Sequence, residues 1–188
     1  MFGITWATAF VCEFLSTRIG FPFGDYFYTA STVGEELYLS NIPFMDSLSF
    51  TFLLYASYCL ALIFVLPFQN GSQPRGSHLK LRDSLSWPVI GLTCLFFMFI
   101  DIVIDPVALQ GGRWFLGQIY GYPDPGVYFG VPLANFIGWF IVGLIAMMGY
   151  RVVDQRLEVL PRLPETIPVR EVLFGCGFTM GCLSLTWW

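Results

Sequence analysis

Two aspartates interrupt an apolar run that reads Leu95-Phe96-Phe97-Met98-Phe99-Ile100-Asp101-Ile102-Val103-Ile104-Asp105-Pro106. Residues four apart on a helix share one face, so the carboxyls of Asp101 and Asp105 are expected to point the same way. The surrounding side chains would suit lipid, which is a costly environment for a carboxylate. The spacing therefore predicts a buried polar site in a membrane-spanning helix.

The composition of the whole chain agrees with this interpretation. Of its 188 residues 56% are hydrophobic and 12% are charged, whereas a typical soluble domain has about 25% charged residues. The mean hydropathy is +0.67. We expect an all-α integral membrane protein with one membrane-embedded domain over residues 1–188. The net charge of −4 argues against nucleic acid as a partner.

Residue types that bind metals are scarce. The one histidine, His78, lies in a polar loop, so a multi-histidine iron or zinc site is not available. We interpret the cysteines as small packing residues, because they fall in apolar stretches and form no C-x-x-C pair. They are Cys12, Cys59, Cys94, Cys176 and Cys182. The sequence predicts neither a metal site nor a cofactor.

Five hydrophobic segments divide the chain, and about five transmembrane helices are predicted from them. They cover approximately Phe2–Leu15, Ser47–Phe68, Trp87–Ala108, Val131–Tyr150 and Val172–Trp188. Segments two to four have the ~20 residues that a membrane span needs. The first segment lacks a basic n-region and a small-residue cleavage site, so a signal peptide is not expected.

Basic residues are concentrated in the second and fourth loops between these segments. The positive-inside rule therefore places those two loops and the N-terminus in the cytoplasm, in a multi-pass membrane protein. Loops two and four carry Arg75, Lys80, Arg82, Arg151, Arg156, Arg162 and Arg170, whereas loops one and three hold Arg18 and Arg113.

Loops one and three are rich in aromatic residues and share the opposite, non-cytoplasmic face. Residues Tyr26–Ser31 and Leu37–Ser40 flank Gly34 and predict a small β-hairpin in loop one. Backbone at membrane depth must be covered by protein, so both loops are expected to fold over the helix ends as a lid. Loop two, around residues 69–77, is expected to be flexible.

Several polar and aromatic side chains are expected to converge near that face. The candidate catalytic residues are Asp101, Asp105, Asn135, Asp25 and Glu13. The candidate substrate-binding residues are Arg18, Trp114, Tyr128, Trp139, Tyr26 and Phe97, with Arg113 nearby in loop three.

Three motifs among these residues resemble one known family. Glu13 to Tyr26 reads EFLSTRIGFPFGDY, Asp101-x-x-x-Asp105-Pro106 follows, and Tyr128 to Trp139 reads YFGVPLANFIGW. In this order they resemble the signatures of the membrane carotenoid-biosynthesis protein family. Its characterised members include carotenoid 1,2-hydratases, namely bisanhydrobacterioruberin hydratases and γ-carotene 1′-hydroxylases. Members are usually longer than this chain.

The resemblance implies cofactor-free hydration of the end group of an acyclic, lycopene-like carotenoid. A carboxyl buried among Phe96, Phe97 and Phe99 favours its protonated form and could protonate C2 of the end group. The resulting cation at C1 would be stabilised by the faces of Trp114, Tyr128 and Trp139. The second carboxylate of the Asp101–Asp105 pair, with Asn135, would orient and deprotonate the attacking water. The lipid bilayer, and other carotenoid-pathway enzymes, are the further partners considered.

Structural roles remain open for the same residues. Asp101 and Asp105 could pair with Arg18 or Arg113, and Asp105 before Pro106 could cap a helix end or a turn. Glu13 is expected to pair with Arg18 and to hold the first helix against the third. The Gly24-Asp25-Tyr26 context is typical of a turn, Asn135 could bridge two helices, and the aromatic residues could form an interfacial belt.

Two other functions remain possible from the sequence. The i, i+4 aspartates are reminiscent of motifs that bind diphosphate through Mg²⁺ in prenyl-transferring or prenyl-elongating enzymes. A carotenoid-binding membrane scaffold or a proton-coupled transporter is the non-enzymatic alternative. A requirement for Mg²⁺ would favour the prenyl-transferring enzyme, and pigment binding without a change of mass would favour the scaffold.

Overall fold

The computed structural model describes residues 1–69, 78–80, 85–111, 114, 117–157 and 166–168. This part of the chain is mostly helical, with α1 over Phe2–Ile19, α2 over Phe44–Gln69, α3 over Trp87–Ala108 and α4 over Leu133–Arg156. Short strands lie between and after the helices. They are β1 Phe27–Tyr28, β2 Tyr38–Leu39, β3 Ile42–Pro43, β4 His78–Lys80, β5 Tyr120–Gly121 and β6 Thr166–Pro168.

Three of the helices in the described ranges are long and apolar enough to cross a membrane. They are Phe44–Val65 within α2, the whole of α3 and the whole of α4. These helices agree with predicted segments two to four, and α3 has the predicted bounds. Helix α1, which carries Glu13 and Arg18, is not among the three. The predicted fifth segment, Val172–Trp188, lies outside the described residues.

Helix α1 continues beyond its predicted end at Leu15. It stops at Ile19 because Gly20 adopts a left-handed conformation with φ of 70°, which glycine tolerates without a Cβ clash. The N–H of Gly20 donates to the carbonyl of Ser16 at 3.0 Å and closes the last turn. The end of α1 therefore projects Glu13 and Ser16, both buried, into the protein.

The four helices form an antiparallel ring in which α1 and α3 both contact α2 and α4. Glu13 near the end of α1 contacts Ser47 near the start of α2, and Asp101 near the end of α3 contacts Asn135 near the start of α4. This up-and-down order brings loops one and three to the same end of the helices.

Aromatic side chains fill the centre of the ring. Phe50 on α2 stacks on Trp139 on α4 with ring centroids 4.2 Å apart, and Phe97 on α3 lies 4.6 Å from Trp139. Phe23 of loop one reaches the same core and packs on Phe50 at 5.9 Å. Gly138 permits this approach, since a Cβ there would meet Cδ1 of Phe23 at 2.5 Å.

The hairpin predicted within loop one is wrong. Strand β1 instead pairs antiparallel with β5 of loop three, with Tyr28 opposite Tyr120, and β2 pairs with β3. Pairing to a distant loop leaves Gly34 in a separate turn. Loops one and three are thus tied to each other above the helix ends. Strands β4 and β6 also pair, and residues 70–77 of the predicted flexible loop lie outside the described ranges.

Candidate active site

Asp101 and Asp105 on α3 are buried together with Asn135 on α4. Their side chains are 1%, 5% and 4% exposed. The side-chain nitrogen of Asn135 donates to Oδ2 of Asp101 at 2.7 Å and to Oδ2 of Asp105 at 2.7 Å. Since an amide carries two hydrogens, Asn135 can serve both carboxyls at once. The second oxygen of Asp101, Oδ1, is buried without a hydrogen-bond partner.

The local sequence explains this convergence. Asp101 and Asp105 lie one turn apart on α3, which runs through Pro106 to Ala108, so Asp105 does not end the helix. Helix α4 begins at Leu133 after Pro132, which places Asn135 in its first turn. The positive end of the α4 dipole makes the surroundings of Asn135 favourable for negative charge.

Two tyrosines that the sequence analysis missed complete the surroundings of Asp105. The hydroxyl of Tyr120 donates to Oδ1 at 2.5 Å, and the hydroxyl of Tyr122 donates to Oδ2 at 3.0 Å. With Asn135, Asp105 therefore accepts three hydrogen bonds, whereas Asp101 accepts one from Asn135. The sequence signal for this pair is the alternation Tyr120-Gly121-Tyr122, because residues two apart in an extended segment point to the same face.

A second acid cluster lies between α1, α2 and loop one. The hydroxyl of Ser47 donates to Oε2 of Glu13, and the other oxygen of Glu13 is buried without a hydrogen-bond partner. The hydroxyl of Tyr28 donates to Oδ2 of Asp46 at 2.7 Å. Asp46, Ser47 and Tyr28 were not among the predicted site residues. Asp46 is identifiable only in retrospect, as an acid at the start of an apolar helix.

The predicted pairing of Glu13 with Arg18 is wrong. Arg18 is exposed and donates to the carbonyl of Phe14 at 3.0 Å and to the hydroxyl of Ser40 at 3.0 Å. It points away because it lies five residues after Glu13, on a different face of α1. Glu13 therefore contacts α2 through Ser47, rather than α3. No ion pair reaches Glu13 or the Asp101–Asp105 pair within the described part of the chain.

A layer of four tyrosines separates the two acid clusters. The hydroxyls of Tyr26 and Tyr28 are 3.2 Å apart, and the ring of Tyr26 lies 6.4 Å from that of Tyr120 and 6.3 Å from that of Tyr122. Burial raises the pKa of all four phenols well above the usual range, and the neighbouring carboxyls raise it further. The hydroxyls therefore stay protonated and act as hydrogen-bond donors.

The predicted residues Phe97 and Trp139 lie one helical turn from the acids. Phe97 precedes Asp101 by one turn on α3, and Trp139 follows Asn135 by one turn on α4. With Phe50 they form an aromatic floor that is fully or nearly fully buried. This end of the four-helix ring therefore has a polar layer, formed by the acids and Asn135, next to a layer of aromatic side chains.

Other predicted residues lie apart from these clusters. Asp25 is exposed, and its carboxyl lies beside Gly20 at the turn after α1. The ring of Tyr128 packs on Phe129 and Phe136. Trp114 lies in the turn after α3, where its N–H donates to the carbonyl of Gly111. Arg113 lies outside the described residues.

Comparisons with known proteins give this arrangement a context. Bisanhydrobacterioruberin hydratase of Haloarcula japonica is 28% identical over 136 residues, which cover 72% of this chain and 39% of that protein. The chain thus spans well under half the length of this curated relative. No solved structure matches the chain. A family model described as "Carotenoid biosynthesis protein" matches residues 1–186. With this match over nearly the whole sequence, the chain belongs to the carotenoid biosynthesis protein family.

Proposed function

We propose that this protein is a carotenoid 1,2-hydratase that adds water across the C1–C2 double bond of an acyclic carotenoid end group without a cofactor. Family membership and the hydratase named as a relative support a carotenoid-modifying enzyme. The observation that carries the reaction type is the buried Asp101–Asp105 pair, whose two carboxyls have unequal hydrogen bonding.

The inequality assigns a role to each carboxyl. Asp105 accepts three hydrogen bonds, which favour its charged form, so it is the base. Asp101 accepts one and keeps Oδ1 without a partner in a buried place, so it is the acid that holds the proton. Two close carboxyls that share one proton are a recurring solution for acid and base work at one site.

The proposed reaction uses three proton transfers, the last of which restores the starting state of the pair. Asp101 gives its proton to C2 of the end group, and the π electrons of the double bond form the new C–H bond, which leaves a tertiary cation at C1. A water molecule attacks C1, and its released proton passes to Asp105. The product is a tertiary alcohol, and transfer of the proton from Asp105 back to Asp101 restores the pair. Asn135, which contacts both carboxyls, holds them at the spacing that this exchange needs.

The aromatic floor suits the cationic intermediate. Phe97 and Trp139 lie one turn below the acids, and a desolvated aromatic face stabilises a cation by about 2 kcal/mol or more. Tyr26, a predicted substrate-binding residue, contacts the rings of Tyr120 and Tyr122, which donate to Asp105. Roles in the reaction for Arg18, Asp25, Trp114 and Tyr128 remain predictions.

An apolar groove on the outer face of α2 and α3 supports a long hydrocarbon substrate. Its volume is about 290 Å³, and it runs along the same part of α3 that carries Asp101 and Asp105. Its lining contains no polar residue and consists of Leu60, Phe96, Phe99, Ile100, Val103 and Ile104. A polyene lying in the bilayer could follow this groove to the acid end of α3.

We place the protein in a prokaryotic cell membrane with its N-terminus in the cytoplasm. Helices α2, α3 and α4 have the length and hydropathy of membrane spans. The acid clusters then face the non-cytoplasmic side, beneath loops one and three. Contacts with other enzymes of the carotenoid pathway would deliver the acyclic carotenoid to that side.

Mass spectrometry of pigments from lycopene-producing bacteria that express the chain tests the proposal. A gain of one water per modified end, retained when oxygen and added cofactors are absent, is the expected result. Unchanged pigment beside membrane-inserted protein would refute hydration of lycopene. Conversion that needs Mg²⁺ and is inhibited by diphosphate would indicate prenyl transfer instead, and pigment bound without a mass change would indicate a scaffold.

A further inference from the structure

The Asp101–Asp105 pair can work as acid and base only while it holds one proton. With two protons it has no base, and with none it has no acid. The pair is almost completely buried, at 1% and 5% exposure. Its proton count must therefore be set through neighbouring side chains that can pass protons. The requirement for one proton on the pair rests on the hydratase function proposed above.

A series of tyrosines leads away from the pair toward the second acid cluster. Tyr120 and Tyr122 both donate to Asp105. Tyr26 contacts the rings of both, and its hydroxyl lies 3.2 Å from that of Tyr28.

The series ends at a carboxyl nearer to solvent. Tyr28 donates to Asp46 at 2.7 Å. Asp46 is only partly buried and is the most accessible of the four carboxyls, the others being Glu13, Asp101 and Asp105.

Tyrosine hydroxyls suit such a series. A phenol can accept a proton on one lone pair while it gives its own proton to the next group, so it passes a proton and ends unchanged. The antiparallel pairing of β1 with β5 fixes Tyr28 opposite Tyr120. The loops therefore hold the tyrosines in place between the two acid clusters.

Glu13, in the second acid cluster, has the surroundings of a carboxyl that holds a proton. Its side chain is 1% exposed, its Oε1 has no hydrogen-bond partner, and Ser47 serves only Oε2. Glu13 accepts from Ser47, the residue that directly follows Asp46 on α2, so the two acids belong to one cluster. Two close acids that no described cation neutralises share a proton more readily than they share two negative charges.

We propose that Glu13 and Asp46 form an outer proton-holding pair that exchanges protons with the Asp101–Asp105 pair through Tyr28 and Tyr26. Each transfer breaks one O–H bond and forms another, so no oxidant, reductant or co-reactant is needed. Asp46 exchanges with the non-cytoplasmic solution, and Tyr28 connects it to the tyrosine layer. Tyr26 passes the proton between Tyr28 and the hydroxyls of Tyr120 and Tyr122, which donate to Asp105.

Infrared spectroscopy of the full chain in liposomes measures this exchange without a substrate. A protonated carboxyl has its own carbonyl band, which shifts when deuterium replaces the proton. The band of the inner pair is identified by its loss in Asp101→Asn or Asp105→Asn. After a jump into heavy water, the shift is expected to slow by about tenfold or more in Tyr28→Phe, Tyr26→Phe and Asp46→Asn.

Two matched variants remove similar groups away from the route. Tyr38→Phe deletes a hydroxyl that lies 2.7 Å from that of Thr32 in the same loop, and Glu35→Gln alters an exposed acid of that loop. Both are expected to exchange at the wild-type rate. Wild-type exchange in Tyr28→Phe and Asp46→Asn would overturn the route, as would equal slowing in Tyr38→Phe.

A pigment assay separates this inference from the proposed function. If the wild type adds no water to a carotenoid, the hydratase function has failed, whatever the exchange rates are. If the wild type hydrates and the Tyr28→Phe variant keeps both its rate and its deuterium exchange, only the route has failed. Slowed exchange with a matching loss of hydration rate is the result expected if both are correct.

Discussion

The side-chain amide of Asn135 donates to Oδ2 of Asp101 at 2.7 Å and so joins the start of α4 to the last turns of α3. The same nitrogen serves Asp105 at 2.7 Å. A single amide thus links the two buried carboxyls and supplies the hydrogen bond that Asp101 accepts. Several measurable consequences depend on this contact and on its surroundings.

Replacing either aspartate of the pair by asparagine is expected to remove the hydration product. Asp101→Asn lacks the acid and Asp105→Asn lacks the base, and each loss should lower the rate by about 10²- to 10⁴-fold. Pigment mass spectrometry at equal protein accumulation measures the effect. Asp124→Asn, at an exposed position in loop three, is the control and should retain activity. Full activity in both pair variants would contradict the assignment.

Asn135→Ala is expected to destabilise the protein as well as inactivate it. The change leaves Oδ2 of Asp101 without its donor and removes one of the two donors to Oδ2 of Asp105, which costs about 1–3 kcal/mol. Thermal unfolding of detergent-solubilised protein should show a lower midpoint than the wild type. Asn41→Ala removes an exposed amide from loop one and should leave the midpoint nearly unchanged. An equal midpoint for both variants would show that Asn135 contributes little.

Gly138→Ala and Gly91→Ala are expected to change stability in opposite directions. A Cβ at Gly138 would meet Phe23 at 2.5 Å and the carbonyl of Pro22 at 2.9 Å, so overpacking should cost about 1–3 kcal/mol. A Cβ at Gly91 on α3 meets nothing within 4 Å, so the gain in helix propensity of up to about 1 kcal/mol should remain. Unfolding midpoints compare the two, and a stabilised Gly138→Ala would refute the close packing of loop one on α4.

Trp139→Leu is expected to slow hydration more than Trp139→Phe does. Loss of the aromatic face removes about 2 kcal/mol of stabilisation from the cation, which corresponds to roughly 30-fold in rate. Phenylalanine retains a ring face toward Phe50 and Phe97. Rates are normalised to folded protein, because Trp139 is also part of the core. Equal rates for the two variants would indicate that Trp139 only packs.

Stability is expected to fall in alkaline solution because of the buried tyrosines. Burial raises the pKa of Tyr28 and Tyr120 well above the usual range, whereas in the unfolded chain these phenols lose their protons near about pH 10. Above that pH the unfolded chain binds fewer protons than the folded one, so the free energy of unfolding decreases as pH rises. Unfolding midpoints across this range should decline less steeply in Tyr28→Phe, and an unchanged slope would contradict the prediction.

The sequence predicted what depends on local periodicity and composition. The apolar run around Asp101 has the length of a membrane span, and α3 has the bounds that this length implied. The i, i+4 spacing correctly placed Asp101 and Asp105 on one buried face, because helix geometry alone determines it. The position of Asn135 beside them could be anticipated only through the antiparallel order of α3 and α4.

Contacts between distant loops were not predictable in this way. The pairing of Phe27 with Gly121 joins residues in loops one and three, and no local pattern distinguishes it from a hairpin around Gly34. The hydroxyl contacts of Tyr28, Tyr120 and Tyr122 with the acids follow from that pairing. Pairing of Glu13 with Arg18 was expected because their charges are opposite, but the two side chains lie on different faces of α1.

The distance in sequence between Asp105 and its donors has a consequence for biogenesis. Tyr120, Tyr122 and Asn135 all follow α3 in the chain, so α3 leaves the ribosome before any of them. At that moment both carboxyls of α3 lack every partner that they have in the folded protein. An unshielded aspartate costs about 2.5–3.5 kcal/mol at the centre of an inserting helix and less toward its end, so the two aspartates in the last turns of α3 oppose its stable insertion alone. Stable integration of α3 is therefore expected to await α4, so that the two helices settle in the bilayer as a pair.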